Sequence, residues 1–373
     1  MNFIFSDIVS QRKEIPKLTE NISKKDGYVS YGDDNHFCDY LFTLFENSAL
    51  FNSIISTMCT YVFGGGFETE IKLPKYINRN FQTLEDVVKK AIADYLLFGG
   101  MAIQCIRDHN QNIVELYHLD FRKIRTNEEQ DKIYYSNDYN LYSRTKVVSY
   151  PRFNPVIKYN NSIFYYKNPE SRTINPTPFY IGCLKSLEID SQIATFHLNQ
   201  LINNFAPSCI INMNNGVVSE TEMEEIEEKF NEKFLGTNNA GKIILSFNSD
   251  SEHATSIARL ADESYDTKYQ TLSESVKNDI YTAFKINPCL LGYNSTNGGF
   301  SKIEYSESYT LYQETVIKPI QQQLERVLET LFNTKFKFLP FKIDWGDVHE
   351  NGNIPQQEEE QENNNINNNE GIK

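Results

Sequence analysis

The stretch GTNNAGKI, residues 236–243, is the nearest approach in this sequence to a nucleotide-binding motif. It satisfies the GxxxxGK spacing through Gly236, Gly241 and Lys242, but Ile243 stands where a Ser or Thr must hold magnesium. A phosphate loop also follows a strand and opens a helix, so that free backbone amides face the anion. Here a helical pattern precedes the loop and a strand pattern follows it, which predicts a helix-to-strand turn. The six histidines (His36, His109, His118, His197, His253, His349) form no HxH or HExxH pair, and no GxSxG nucleophile motif occurs. Asp33 with Asp34, Asp250 with Glu252, and Asp344 with Asp347 are the carboxylate pairs that metal-dependent phosphodiester cleavage would need. In a chain with 50 acidic residues such neighbours arise by chance, and their surroundings read as turns. The six cysteines are widely spaced with no CxxC, which predicts buried free thiols in a reducing compartment. No catalytic, cofactor-binding or metal-binding residue is expected; the chain does not read as an enzyme.

Charge narrows the remaining classes. The formal net charge is −14, of which residues 346–373 carry −6, with seven acids and one base, leaving −8 for residues 1–345. A body of that sign repels a nucleic-acid backbone or an anionic lipid surface more than it grips one. No run approaches the eighteen apolar residues of a membrane span, and the N-terminal MNFIFSDIVSQRKE is too short and too early in acid for a secretion signal. The expectation is a soluble protein made in the cytosol, with no membrane partner.

With no reactive constellation to position, the order of elements carries the reading. Residues 1–30 are polar and predict a mobile arm. YLFTLFENSALFNSIISTMCTYVF reads as one amphipathic helix stopped by Gly64–Gly66, and LEDVVKKAIADYLLF as a second stopped by Gly99–Gly100. MAIQCIRD and IVELYHLD flank a turn and predict a hairpin; further strands are expected at KIYYS, TKVVSYP, PVIKY and SIFYYK. A long helix then runs from Leu184 toward Phe205, closed by Pro207. SCIINM, an acid-rich helix begun by the capping pattern Ser219–Glu222, and KIILSF predict a β-α-β unit. Another helix ends at Phe284, and after a polar stretch a last one runs from Glu304 to Phe332, with Pro319 inside it and expected to bend it. KFKFLPFKIDW predicts a final strand, and the Asn/Glu/Gln-rich end a disordered tail. The fold class is therefore α+β. A dozen Asn, Ser, Thr and Gly residues between two long helices exceed what a helical hairpin needs.

In this order the segments LFENSALFNSIISTMCTYVFGGGF, DYLLFGGMAIQCIRD, PFYIGCLKSLEIDSQIATFHLNQLINNFAPSCIINMNNG, EEIEEKFNEKFLGTNNAGKIIL, IYTAFKINPCLLGYNSTNGGFSKIEYSE and VIKPIQQQLERVLETLF resemble the portal proteins of tailed double-stranded DNA bacteriophages and prophages. The resemblance covers nearly the whole ordered chain. It implies an arm (1–30), a wing (31–180), a first stem helix (181–207), a clip (208–262) and a second stem helix (263–290). A tunnel loop (291–303), a tunnel helix (304–332), a C-terminal strand region (333–350) and the tail (351–373) follow. Nothing long and helical follows Phe332, so the crown found in larger portals is expected to be small or absent. The resemblance further implies a ring, usually of twelve copies, through which DNA passes without sequence specificity. Facing that DNA would be Asn294, Ser295, Thr296, Asn297, Gly298, Gly299, Phe300, Ser301 and Lys302. Glu220, Glu224, Glu225, Glu228, Asn238 and Asn239 of the clip would meet the large terminase and the head–tail adaptor, and the ring would also contact the major capsid or scaffold protein. The competing reading is a monomeric or dimeric helical adaptor; an NTPase or nuclease stands behind both.

Overall fold

A helix stop and a helix start fall one residue apart at Ser48. The computed structural model describes residues 15–139, 145–202, 209–213, 243–247, 265–293 and 302–341. In it the expected first helix is two, α1 (Phe37–Asn47) and α2 (Ala49–Phe63). Ser48 is extended, and its Oγ accepts a hydrogen bond from Phe51 N at 3.0 Å, capping α2. Apolar spacing alone ran through this break; the Asn-Ser pair was the signal. α3 (Leu84–Phe98) matches its expected span, with Thr83 and Asp86 exchanging capping hydrogen bonds. Gly99 ends it at φ 76°, and a Cβ there would lie 2.6 Å from the Thr177 carbonyl oxygen.

The strands form small separate sheets. β2 (Gly100–Arg107) is central between β3 (Ile113–Leu119) and β7 (Asn161–Lys167), all antiparallel, and this sheet packs on α3. β4 (Ile124–Thr126), β5 (Lys132–Tyr135) and β6 (Val148–Pro151) make a second meander. PVIKY is not a strand. Asn154 Oδ1 accepts from the backbone amides of Val156 (2.8 Å) and Ile157 (3.0 Å), turning the chain and leaving both side chains exposed. The expected last strand is present as β10 (Phe336–Phe338), and its partner is β1 (Phe67–Thr69), a strand too short to declare itself in sequence.

Residues 15–30 correct the expectation of a loose arm. Tyr28 and Val29 are buried, Ile22 bridges Val29, and Glu20 accepts hydrogen bonds from the backbone amides of Ile174 and Asn175. The polar residues of this segment serve as hydrogen-bond partners for later parts of the chain.

After β7 in the chain come α4 (Leu184–Ile202), β8 (Cys209–Met213), β9 (Ile243–Phe247) and α5 (Tyr265–Phe284). β8 and β9 pair in parallel, Cys209 opposite Ile243 and Met213 opposite Phe247, which requires a crossover between them. The expected crossover helix falls outside the described residues. Helical structure is then uninterrupted from Lys302 to Phe332, as α6 (Lys302–Tyr312), a wider π turn (Gln313–Ile317) and α7 (Lys318–Phe332). It starts before the expected Glu304, so Lys302 and Ile303 belong to the helix and not to the loop. Lys318 N–H donates to Gln313 O across the wide turn, and Pro319 follows it within the continuous helix, with no N–H to give the preceding turn.

One hydrophobic core joins these parts. Phe51, Ile54, Met58, Ile92 and Leu96 of α2 and α3 are continuous with Leu187 of α4, Val276, Ile280 and Phe284 of α5, and Leu324, Val327 and Leu328 of α7. Each such side chain contributes about 1.5–3 kcal/mol of burial, so the long helices are rooted on α2 and α3.

Candidate functional site

Two places combine elements distant in sequence, and both lie where long helices meet α2. The first is the root of α4 and α5. Phe284, the last residue of α5, stacks on Tyr180 with ring centroids 5.1 Å apart, and Phe51 of α2 meets both rings at 5.1 and 5.8 Å. Polar links reinforce the seat: Ser48 Oγ donates to Asp190 Oδ2 at 2.7 Å and Tyr40 OH to Glu188 Oε2 at 3.2 Å. Ser186 Oγ lies 3.4 Å from Asp279 Oδ2, joining α4 to α5. Away from this root, α4 and α5 expose Ile189, Leu198 and Leu272.

The second place brackets the polar stretch. α5 ends, Lys285 takes φ 52°, and Asn287 caps a short 3-10 turn, Pro288–Leu291, through a 3.1 Å bond from Cys289 N. Asn287 Nδ2 also donates to Ser308 Oγ of α6 at 3.0 Å. Tyr61 of α2 binds both sides. Its hydroxyl lies 3.2 Å from the Leu290 carbonyl oxygen, before the stretch, and 2.7 Å from the Tyr305 hydroxyl, after it. Its ring packs against Tyr309 and Phe341 at 5.2 and 5.5 Å. Burial and the Tyr305 hydrogen bond push the Tyr61 phenol well above its ordinary range, so it is a neutral structural group.

Tyr61 was invisible in sequence as a functional residue, because its partners lie 229 and 244 positions away. Asn294, Ser295, Thr296, Asn297, Gly298, Gly299, Phe300 and Ser301 lie outside the described residues, as do Glu220, Glu224, Glu225, Glu228, Asn238 and Asn239. Lys302 is the first residue of α6, and Pro319 is exposed on α7. The structure thus describes the chain on either side of the expected loop, at 293 and 302.

Little here is reactive. Burial pushes the Cys59 and Cys105 thiols up to about 12, which removes the thiolate a nucleophile needs. His118 Nε2 sits 2.7 Å from Asp94 Oδ2, but the same oxygen accepts from Phe121 N at 3.1 Å, so the pair ties β3 and the following turn to α3. Among the described residues no group of three or more His, Cys, Asp or Glu could hold a metal ion, and no helix is long and apolar enough to cross a membrane.

Comparison with known proteins accords with this architecture. A protein of Rickettsia bellii (strain RML369-C) is 27% identical over 257 residues, covering 66% of this chain and 60% of its own length. One of Rickettsia felis (strain ATCC VR-1525 / URRWXCal2) is 29% identical over 163 residues, 42% of this chain and 40% of its own length. The matched stretches therefore span less than two thirds of either relative. In fold, the chain is similar to a chain from the virion of the native gene transfer agent particle, at TM-score 0.52 and 13% identity, covering 80% of this chain and 83% of that one. A chain from the neck of the native particle computed with C12 symmetry gives TM-score 0.52 and 12% identity, with coverage of 80% and 83%. The pattern of the phage portal protein family matches residues 75–354, most of the sequence, and the chain belongs to that family.

Proposed function

We propose that the protein assembles into a closed ring at one vertex of a virion capsid, forms the channel through which double-stranded DNA is packaged and ejected, and carries the 294–301 segment toward that DNA. The observation that carries this reading is the anchoring of the segment. Both flanks are fixed to one buried hub around Tyr61, while the intervening residues, Phe300 apart, are short and polar or Gly, with no Arg. Fixed ends hold the position; Gly298 and Gly299 allow the tip to change shape. Short polar side chains touch a moving duplex without reading bases or gripping phosphates, which a cluster of Arg would do. The acidic body discourages adhesion to the wall.

Ring formation is supported by what a single chain leaves uncovered. Ile189, Leu198 and Leu272 on the stem helices, with Ile303 and Leu311 on α6, are exposed apolar residues on long elements. Side-by-side, head-to-tail contacts between copies would cover them and close into a ring. A chain of similar fold comes from a particle neck computed with C12 symmetry, and another from a neck computed with C6 symmetry, both compatible with a ring of twelve. In this account residues 208–262 form the clip that docks the large terminase and later the head–tail adaptor, and the wing meets the major capsid or scaffold protein. Pro319 and the π turn before it bend the tunnel helix along the channel. Assembly takes place in the host cytoplasm. Deleting residues 294–301 is expected to leave the ring intact and to abolish packaging or retention of DNA. Normal packaging by rings of the deleted chain would contradict the role of this segment.

A further inference from the structure

The helix that follows the polar segment has two unlike faces. Tyr305, Ser308, Tyr309 and Tyr312 of α6 turn inward, where they meet Tyr61 or Asn287, and Tyr312 is buried. At about 100° per residue, Ile303, Glu304, Glu307 and Leu311 share the other side. There Ile303 is 70% and Leu311 66% exposed, and Glu307 is exposed between them. This outer face has aliphatic side chains at both ends and acids between. The acids repel the phosphates of a nucleic acid. The face suits a surface that offers apolar groups together with cations.

Such a surface is built on the same chain, in the loop between β1 and α3. Residues 71–82 contain Lys72, Lys75 and Arg79 and no acid, in a chain of net charge −14. Ile77 and Asn78 are buried and plug the loop onto β3. Leu116 N donates to Ile77 O at 3.1 Å, and Asn78 Nδ2 donates to Leu116 O at 2.9 Å. Asn78 Oδ1 accepts from Asn80 N at 3.0 Å and Gln82 N at 3.3 Å, closing a tight turn that holds Phe81 at φ 59°. This fixed backbone presents Phe81 75% and Tyr76 44% exposed, their rings 5.5 Å apart edge to face. Lys75 Nζ lies 5.2 Å over the Tyr76 ring, and Arg79 Nε donates to Glu115 Oε1 at 2.7 Å, so Lys72 and Lys75 are the cations on offer. A rigid aromatic pair loses little freedom on docking. The 154–159 turn also exposes apolar side chains, but Lys158 is its single cation.

The two surfaces are both exposed in one chain, so they do not cover each other within it. We infer, resting on the ring reading above, that the 71–82 loop of one copy seats on the outer face of α6 of the next. Phe81 and Tyr76 cover Ile303 and Leu311, and Lys72 and Lys75 meet Glu304 and Glu307. Two different surfaces meeting in this way make a head-to-tail contact, the kind that closes into a ring.

Charge reversal on the full chain tests the contact. One variant carries Lys72→Glu with Lys75→Glu, a second carries Glu304→Lys with Glu307→Lys, and thermal melts check that both fold. Each alone is expected to need about tenfold or more higher concentration to form rings, read by light scattering and electron microscopy. An equimolar mixture should assemble like the unaltered chain, because each reversed loop then finds a reversed helix. Phe81→Asn, which accepts the same backbone turn, should weaken assembly, and Lys158→Glu should not. Rings that form equally well from the reversed chains or from Phe81→Asn, a mixture no better than its components, or weakening by Lys158→Glu alone would overturn the contact and leave the ring standing. No ring from the unaltered chain at any concentration would overturn both.

Discussion

At the scale of single residues, the fold depends on buried polar side chains that no motif announces. Tyr61 is the clearest. Its hydroxyl ties the turn before the polar segment to the helix after it, and Phe in its place keeps the ring packing while removing both hydrogen bonds. At about 0.5–1.5 kcal/mol each, Tyr61→Phe is expected to destabilise the chain by about 1–3 kcal/mol. Hydrogen exchange should quicken in peptides covering 288–293 and 302–309 while α3 is unchanged; uniform protection in the variant would remove the hub role. The cysteines give a second reading. With the Cys59 and Cys105 thiols held at about 12, ionisation alone slows alkylation of the native protein at pH 8 by on the order of 10³-fold against an ordinary thiol near 8.5. Peptide mapping by mass spectrometry should find these two labelled only after denaturation. The sign for stability follows. A thiol raised in the folded state contributes fully below about pH 8.5, and that contribution is lost as pH climbs from there toward 12.

At the scale of elements, the glycines after α2 show how much one position can hold. Gly64 takes φ 59°, and a Cβ there would collide with the Leu339 carbonyl, while Gly65 N donates to that same oxygen at 3.0 Å. Gly64→Ala is expected to cost more than about 1 kcal/mol and to expose β10 to exchange. Gly182→Ala, where an added Cβ meets nothing within 4 Å, should be neutral. Equal melting temperatures for the two variants would contradict this. The sequence showed Gly64–Gly66 as a helix stop, which is correct, but not that the run also seats a strand arriving 271 positions later through the Phe67–Phe338 pairing. That contrast is general here. Elements set by local spacing and caps, such as α3 with Thr83 and Asp86, the β2–β3 hairpin and α5, were legible. Those set by distant partners, such as β1, the packing of residues 15–30 and the Tyr61 hub, were not. The false strand at PVIKY has the same origin, because Asn154 overrides the β-branched pair with a local turn. Of the candidate site, the frame was legible in the long polar interruption between two helices, and its anchoring was not.

At the scale of the molecule, the chain belongs to the phage portal protein family. One core joins α2 and α3 to α4, α5 and α7, so force applied to the long helices is carried into α2 and α3. The central claim is the ring, and it is tested most directly by the native mass of the purified chain, from light scattering with electron microscopy of the same peak. Twelve copies of the 43.3 kDa chain give roughly 520 kDa, and the account predicts a peak near that mass whose particles are closed rings with a central channel. A compact dimer without a channel, unchanged by concentration, would contradict it.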